Sequence, residues 1–236
     1  MTSSRNEAWL SVWERKARSE HIPLHHVTGY DVISQATYEK LIANVFGLVT
    51  IKEKDTILEV GCGCGATLDA LLKIYPRIKK YRGMDYSPRM IKMAQREFPQ
   101  YNFSVGNAVD LSGYASRAYD LTFCFGVLVY LNSEIDVKRA LGEILRVTKP
   151  SGIIIIGEQS DSAKKAQAEE MRKSTHNSSH VSQELDTSHL YLPKDLFEEF
   201  AIENNLEISI IDHQGFDMPS NPTIAYRYSV YFKTPT

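Results

Sequence analysis

The stretch TILEVGCGCGATLDALL, residues 56–72, decides the fold. Ile57, Leu58 and Val60 form a short apolar run that reads as a buried strand. Gly61, Gly63 and Gly65 follow at a spacing of two, and then Leu68, Leu71 and Leu72 recur at helical spacing. The order is strand, glycine turn, helix. A sharp turn and a ligand that approaches the backbone closely both call for glycine. A helix that starts after such a turn offers free N–H groups and a positive dipole end. Such an end suits a carboxylate or a phosphate. The spacing Gly61, Gly63, Ala66 also fits the relaxed dinucleotide fingerprint.

Two acids narrow the choice. Glu59 stands two residues before the first glycine, at the end of the strand. Asp85, in YRGMDYS, ends the next strand-like run 20 residues after Gly65, where a carboxylate can take both hydroxyls of a ribose. With these residues the sequence resembles the class I S-adenosylmethionine-dependent methyltransferases, whose signature is E/D-x-G-x-G-x-G followed by an acid ending the second strand. The resemblance continues through GNAVDL at 106–111, YDLTFCFGVLVYL at 119–131 and LRVTKPSGIIII at 145–156, and covers about residues 50–160.

The resemblance implies S-adenosylmethionine as cofactor and S-adenosylhomocysteine as product. It makes Tyr30, Glu59 and Cys62 cofactor-binding residues, brings the Gly61, Gly63 and Gly65 loop to the methionine part of the cofactor and puts Asp85 at the ribose. Tyr86 is expected against the adenine face. Asn107 is expected near the adenine amino group, with the Ala108 N–H beside it. Cys124 and Phe125 end the fourth strand, where the family uses a backbone carbonyl for the ammonium, and Val127–Leu131 then line the wall. Many relatives carry histidine where this chain has Tyr130, so that position is open between catalysis and packing.

Composition sets the bounds. The 236 residues suffice for one domain with a full core. Charged residues make up 24% and the formal net charge is −2, so no basic surface points to nucleic acid. Three cysteines make no disulfide framework, and Cys62-x-Cys64 lacks the second pair that a zinc site needs, so no metal is expected. The longest apolar run, Ile153–Ile156, is too short to cross a bilayer, and the polar N-terminus is unlike a signal peptide. A reducing cytoplasm is the expected setting. Oligomeric state is open between monomer and homodimer.

Taken in order, residues 1–45 hold two predicted helices, Glu7–Arg18 and about Gln35–Phe46, broken by Pro23 and Gly29. This segment reads either as a static cap on the sheet edge or as a lid, with Tyr30, His25 and His26 facing the pocket. Residues 46–158 alternate strand and helix: Thr56–Val60, Ala66–Ile74, Tyr81–Asp85, a helix opened by Ser87-Pro88, Tyr101–Val105, Tyr119–Phe125, Glu134–Val147 and Ile153–Gly157. Within Glu134–Val147, Ile135, Ala140, Leu141, Ile144 and Leu145 are expected on the buried side. Such alternation implies a parallel, doubly wound sheet. Residues 159–190 are polar and read as a solvated excursion or a second lid. Residues 191–236 supply a helix, Pro193–Asn204, and a closing strand pair, Leu206–Ile211 and Ile224–Phe232. The whole predicts one α/β domain, 1–236: a Rossmann-like, doubly wound, seven-stranded and mostly parallel sheet with a final antiparallel strand, under an N-terminal helical cap.

The expected reaction is methyl transfer to a hydroxyl or amine of a small molecule. His189, His25 and His26 are candidate bases because histidine titrates near neutrality, with Glu158 a further candidate at the end of the fifth strand. No N/D-P-P-Y/F and no Pro-Cys follows the fourth strand, which sets aside nucleic-acid methylation. The terminal block NPTIAYRYSVYFK resembles small-molecule methyltransferases of natural-product and surface-glycan pathways. Two alternatives stay open: a nicotinamide-dependent oxidoreductase, and a protein that binds the cofactor without catalysis.

Overall fold

In the computed structural model, which describes residues 5–19, 21–175 and 188–236, the glycine turn joins β1 (Thr56–Val60) to α4 (Ala66–Ile74). Four parallel neighbours extend the sheet from β1. They are β2 (Lys80–Asp85), β3 (Asn102–Val105), β4 (Tyr119–Phe125) and β5 (Thr148–Ser160). β7 (Arg227–Lys233) runs antiparallel between β5 and β6 (Glu207–Asp212), giving the order β3-β2-β1-β4-β5-β7-β6. The expected seven-stranded, mostly parallel sheet is present, and its reversed strand lies inside the sheet.

Helices cover both faces. α4 and α5 (Pro88–Glu97) flank one core cluster, and α6 (Glu134–Val147) with α8 (Lys194–Glu203) flanks the other. Local chemistry sets their starts: Ser87 accepts from the Met90 N–H and Ser133 from the Asp136 N–H. α1 (Arg5–Lys16), α2 (Leu24–Val27) and α3 (Gln35–Phe46) precede the sheet. α3 buries Tyr38, Leu41, Ile42, Val45 and Phe46.

Three expectations change. Ile135 is 66% exposed, and Val137 occupies the buried face of α6 instead. β5 runs on through Ser160, so the polar segment begins inside the sheet, with Gln159, Ser160 and Asp161 all buried. A four-residue α2 fills the turn after Pro23, where no helix was expected. α7 (Lys165–Thr175) follows, and the remainder of the expected second lid, 176–187, lies outside the described residues.

Candidate functional site

A cleft opens at the carboxyl ends of β1, β2 and β4, at the switch point where open α/β sheets bind ligands. Its floor is the glycine turn. The Gly61 and Cys62 N–H groups both donate to the Met84 carbonyl, at 2.7 and 2.9 Å, which ties the turn to β2. Gly61 has φ +82°, and a side chain there would drive into Val127. Glycine is thus required as much by packing against the wall as by room for a ligand.

Asp85 stands at the end of β2. Its Oδ2 accepts the Gly63 N–H at 2.8 Å and its Oδ1 the Ser87 N–H at 2.9 Å. Each oxygen keeps lone pairs for a ligand hydroxyl. Burial raises its carboxyl above the ordinary range, against the pull of the Ser87, Gly63 and Tyr86 N–H groups. Tyr86, 44% exposed, forms the mouth, with Asn107 and Ala108 beside it. Asn107 Oδ1 accepts the Val109 N–H at 3.2 Å. Trp9 and Trp13 of α1 roof the cleft, stacked on each other and packed on Tyr130.

Several expected ligand contacts fall elsewhere. Glu59 does not line the cleft. It is buried under the turn, where it accepts from the Tyr81 hydroxyl, and burial pushes its carboxyl up to about 8. Gly65 packs on the Phe98 ring, and Cys124 is fully buried in the core. Cys62, Gly63 and Phe125 do line the cleft. All three thiols are buried and free, and burial lifts each of them, Cys64 to about 12.

A second cavity continues from the first past Thr28, Tyr30, Gly126 and Tyr130, which line both. Its other walls include Glu158, His189, Asn221 and Arg227. Glu158 is 3% exposed and sits at φ +61°, a backbone state that a non-glycine residue holds only under constraint. His213 Nδ1 lies 2.8 Å from Glu158 Oε1, and His213 Nε2 is 2.7 Å from Ser229 Oγ. Tyr30 donates its hydroxyl to Glu158 Oε2 at 3.3 Å. Burial pushes the Glu158 carboxyl up, but His213, Arg227 and Tyr30 together outweigh it and hold the group below its ordinary value.

The histidine expectations divide. His189 lines the second cavity and packs on Trp9 and Tyr130. His25 and His26 face away from both cavities. Each ring nitrogen Nε2 bonds the Ile33 carbonyl, at 3.0 and 3.3 Å, and His25 is buried against Tyr38. α2 turns them inward to satisfy that loop. Sequence reasoning missed His213, Asn221 and Arg227.

Residues 58–156 match the model of a methyltransferase domain family. That match runs from β1 into β5, so over the core of the sheet the chain is similar to a methyltransferase domain. Among curated relatives of this family, a demethylmenaquinone methyltransferase of Renibacterium salmoninarum is 31% identical over 58% of this chain and 54% of its own length. A 2-methyl-6-phytyl-1,4-hydroquinone methyltransferase of Synechocystis is 27% identical over 59% of this chain and 44% of its own. The chain thus spans about half the length of the curated relatives it matches. Among solved structures, a Haloferax volcanii methyltransferase in complex with its Trm112 activator superposes with TM-score 0.67, 15% identity and full coverage of both chains. Phosphoethanolamine N-methyltransferase 1 of Haemonchus contortus gives TM-score 0.69 and 14% identity over 98% of this chain and 49% of its own. These likenesses concern the methyltransferase fold. The family's cofactor fits the cleft: Asp85 faces it with spare acceptor capacity, and N–H groups and aromatic surface complete the walls. Among the described residues, no helix is long and apolar enough to cross a membrane.

Proposed function

We propose that the protein transfers a methyl group from S-adenosylmethionine to a hydroxyl or amine of a small molecule held in the second cavity. The observation that carries this reading is the junction. The Asp85 cleft and the Glu158 cavity meet at Tyr30, Gly126 and Tyr130, so donor and acceptor sites adjoin without a gap in the chain between them. When bound, the cofactor supplies an electrophilic methyl on a sulfonium sulfur. The acceptor would take that methyl on its oxygen or nitrogen, the sulfur would leave as the neutral thioether of S-adenosylhomocysteine, and the acceptor would shed one proton.

Asp85 and the Gly61–Gly63 turn orient the donor, and the tryptophan roof keeps water out. Glu158 accepts the proton. It is held anionic, and a hydroxyl becomes strongly acidic as its oxygen is alkylated, so a carboxylate suffices as acceptor. Tyr30 fixes the carboxylate from the cleft side and His213 from the core side. Tyr130 and His189 shape the acceptor's approach. His25 and His26 have no part in this reading. The alternative of a nicotinamide oxidoreductase is disfavoured by the family match.

The test pairs two variants. In calorimetry with S-adenosylhomocysteine, Asp85→Ala loses at least about tenfold in affinity, the order of a lost charge-assisted hydrogen bond. Glu158→Gln keeps that affinity and loses about 10²–10⁴ in transfer of labelled methyl to acceptors drawn from metabolite pools. Unchanged affinity in Asp85→Ala removes Asp85 from the site. Wild-type turnover in Glu158→Gln removes the base.

A further inference from the structure

The second cavity holds one guanidinium, Arg227, whose charge bears on Glu158 but which makes no direct ion pair with a carboxylate among the described residues. Its titratable lining comprises Tyr30, Asp31, Tyr130, Glu158, His189 and Arg227. Asp31 lies 3.7 Å from Lys16 Nζ, and Glu158 Oε1 lies 2.8 Å from His213 Nδ1. Arg227 has no carboxylate partner among the described residues. Its Nη1 is spent on the Glu158 carbonyl at 3.1 Å and the Ser160 hydroxyl at 2.8 Å. Those two bonds fix the plane of the guanidinium. Its Nε and Nη2 make no hydrogen bond among the described residues, and they form the edge that binds oxyanions in a fork.

Asn221 adds a second, independent donor. It is 4% exposed and lines the same cavity. Its Oδ1 accepts from the Thr223 N–H at 3.2 Å and the Thr223 hydroxyl at 3.0 Å, which sets the amide so that Nδ2 is the outer atom. Nδ2 has no acceptor among the described residues. The free edge of the guanidinium and the outer amide donor both belong to residues that line this cavity, and each can donate to an oxyanion held there.

We propose that Arg227 and Asn221 form an oxyanion subsite, and that the methyl acceptor carries a carboxylate or a phosphate which binds there. This rests on the methyl-transfer reading. The anion anchors one end of the acceptor, and Glu158, fixed through its own carbonyl to the same arginine, meets the other end. A neutral quinol or thiol would leave the arginine unmatched.

The test uses the full chain loaded with S-adenosylhomocysteine, titrated with inorganic phosphate and, separately, with acetate at matched ionic strength. Thermal midpoint and calorimetry are the readouts. The expected result is saturable stabilisation by at least one of the two, and the stronger ligand tells phosphate from carboxylate. Arg227→Gln weakens that binding at least tenfold while S-adenosylhomocysteine affinity stays within twofold. Asn221→Asp, which keeps the Thr223 contacts and replaces the donor with an acid, does the same and serves if Arg227→Gln does not fold. No saturable effect of either anion on the loaded wild type overturns the proposal, as does an equal effect in the variants. If S-adenosylhomocysteine itself does not bind, the methyl-transfer reading fails. The same titration on the ligand-free chain then still decides whether the subsite exists.

Discussion

Glu59 titrates near pH 8 in the folded chain and near 4.5 otherwise, because burial opposes its charge and the Tyr81 hydroxyl only partly compensates. A raised carboxyl favours the folded state when protonated. Its contribution is complete below about pH 4.5 and is lost as the pH climbs through 8. Glu59→Gln keeps the neutral form at every pH. The variant's melting temperature, measured against wild type, is therefore expected to gain steadily from pH 5 to pH 8. A difference that stays constant across that window would contradict the assignment. At this scale the sequence disclosed Asp85, because an acid ending the second strand has a fixed relation to the glycine turn. It did not disclose the Glu158–His213 pair. Those residues are 55 positions apart, and only the pairing of β7 with both β5 and β6 brings them together. Nor did it show that α2 points His25 and His26 at a carbonyl instead of the cleft.

α1 is clasped to the end of β2 through Glu14, besides packing Trp9 and Trp13 on Tyr130. Glu14 Oε1 accepts the Ser87 hydroxyl at 2.5 Å and the Arg89 N–H at 3.0 Å, and its Oε2 pairs with Arg89 Nε at 2.9 Å. Ser87 also donates its N–H to Asp85, so the roof helix and the acid proposed for the ribose share a residue. Glu14→Ala releases the clasp at a cost of about 1 kcal/mol, the range of partly exposed charged pairs. Hydrogen exchange across Arg5–Lys16 is expected to quicken several-fold, with S-adenosylhomocysteine affinity falling by a similar factor and the β1 amides unchanged. Unaltered exchange in α1 would reduce Glu14 to a surface ion pair. Helix periodicity located α1 to within two residues, and α3, α4 and α6 without error. It could not see that β5 continues through Gln159 and Ser160. Those side chains are polar and buried: Gln159 Nε2 donates to the Gly157 carbonyl at 2.6 Å, while its Oε1 has no partner among the described residues, and Arg227 donates to Ser160. A strand that ends on buried polar side chains carries no apolar signature.

At the scale of the molecule, alternation of strand and helix forecast the sheet and its count of strands. The order β5-β7-β6 follows from no local pattern, because it is set by where the chain finds its last open edge. All three thiols are buried, Cys62 and Cys64 in the glycine turn and Cys124 in β4. Alkylating reagents attack the thiolate, and burial suppresses both that form and its access. The native cysteines are therefore a built-in clock for opening. With excess iodoacetamide, intact-mass spectra are expected to pass from no added label to three without a lasting population of one or two. Adduct on Cys62 alone would mean that the cleft opens before the sheet does. Preparations of this protein should also keep in air without reductant, and dyes meant for its surface will need a cysteine that nature did not supply.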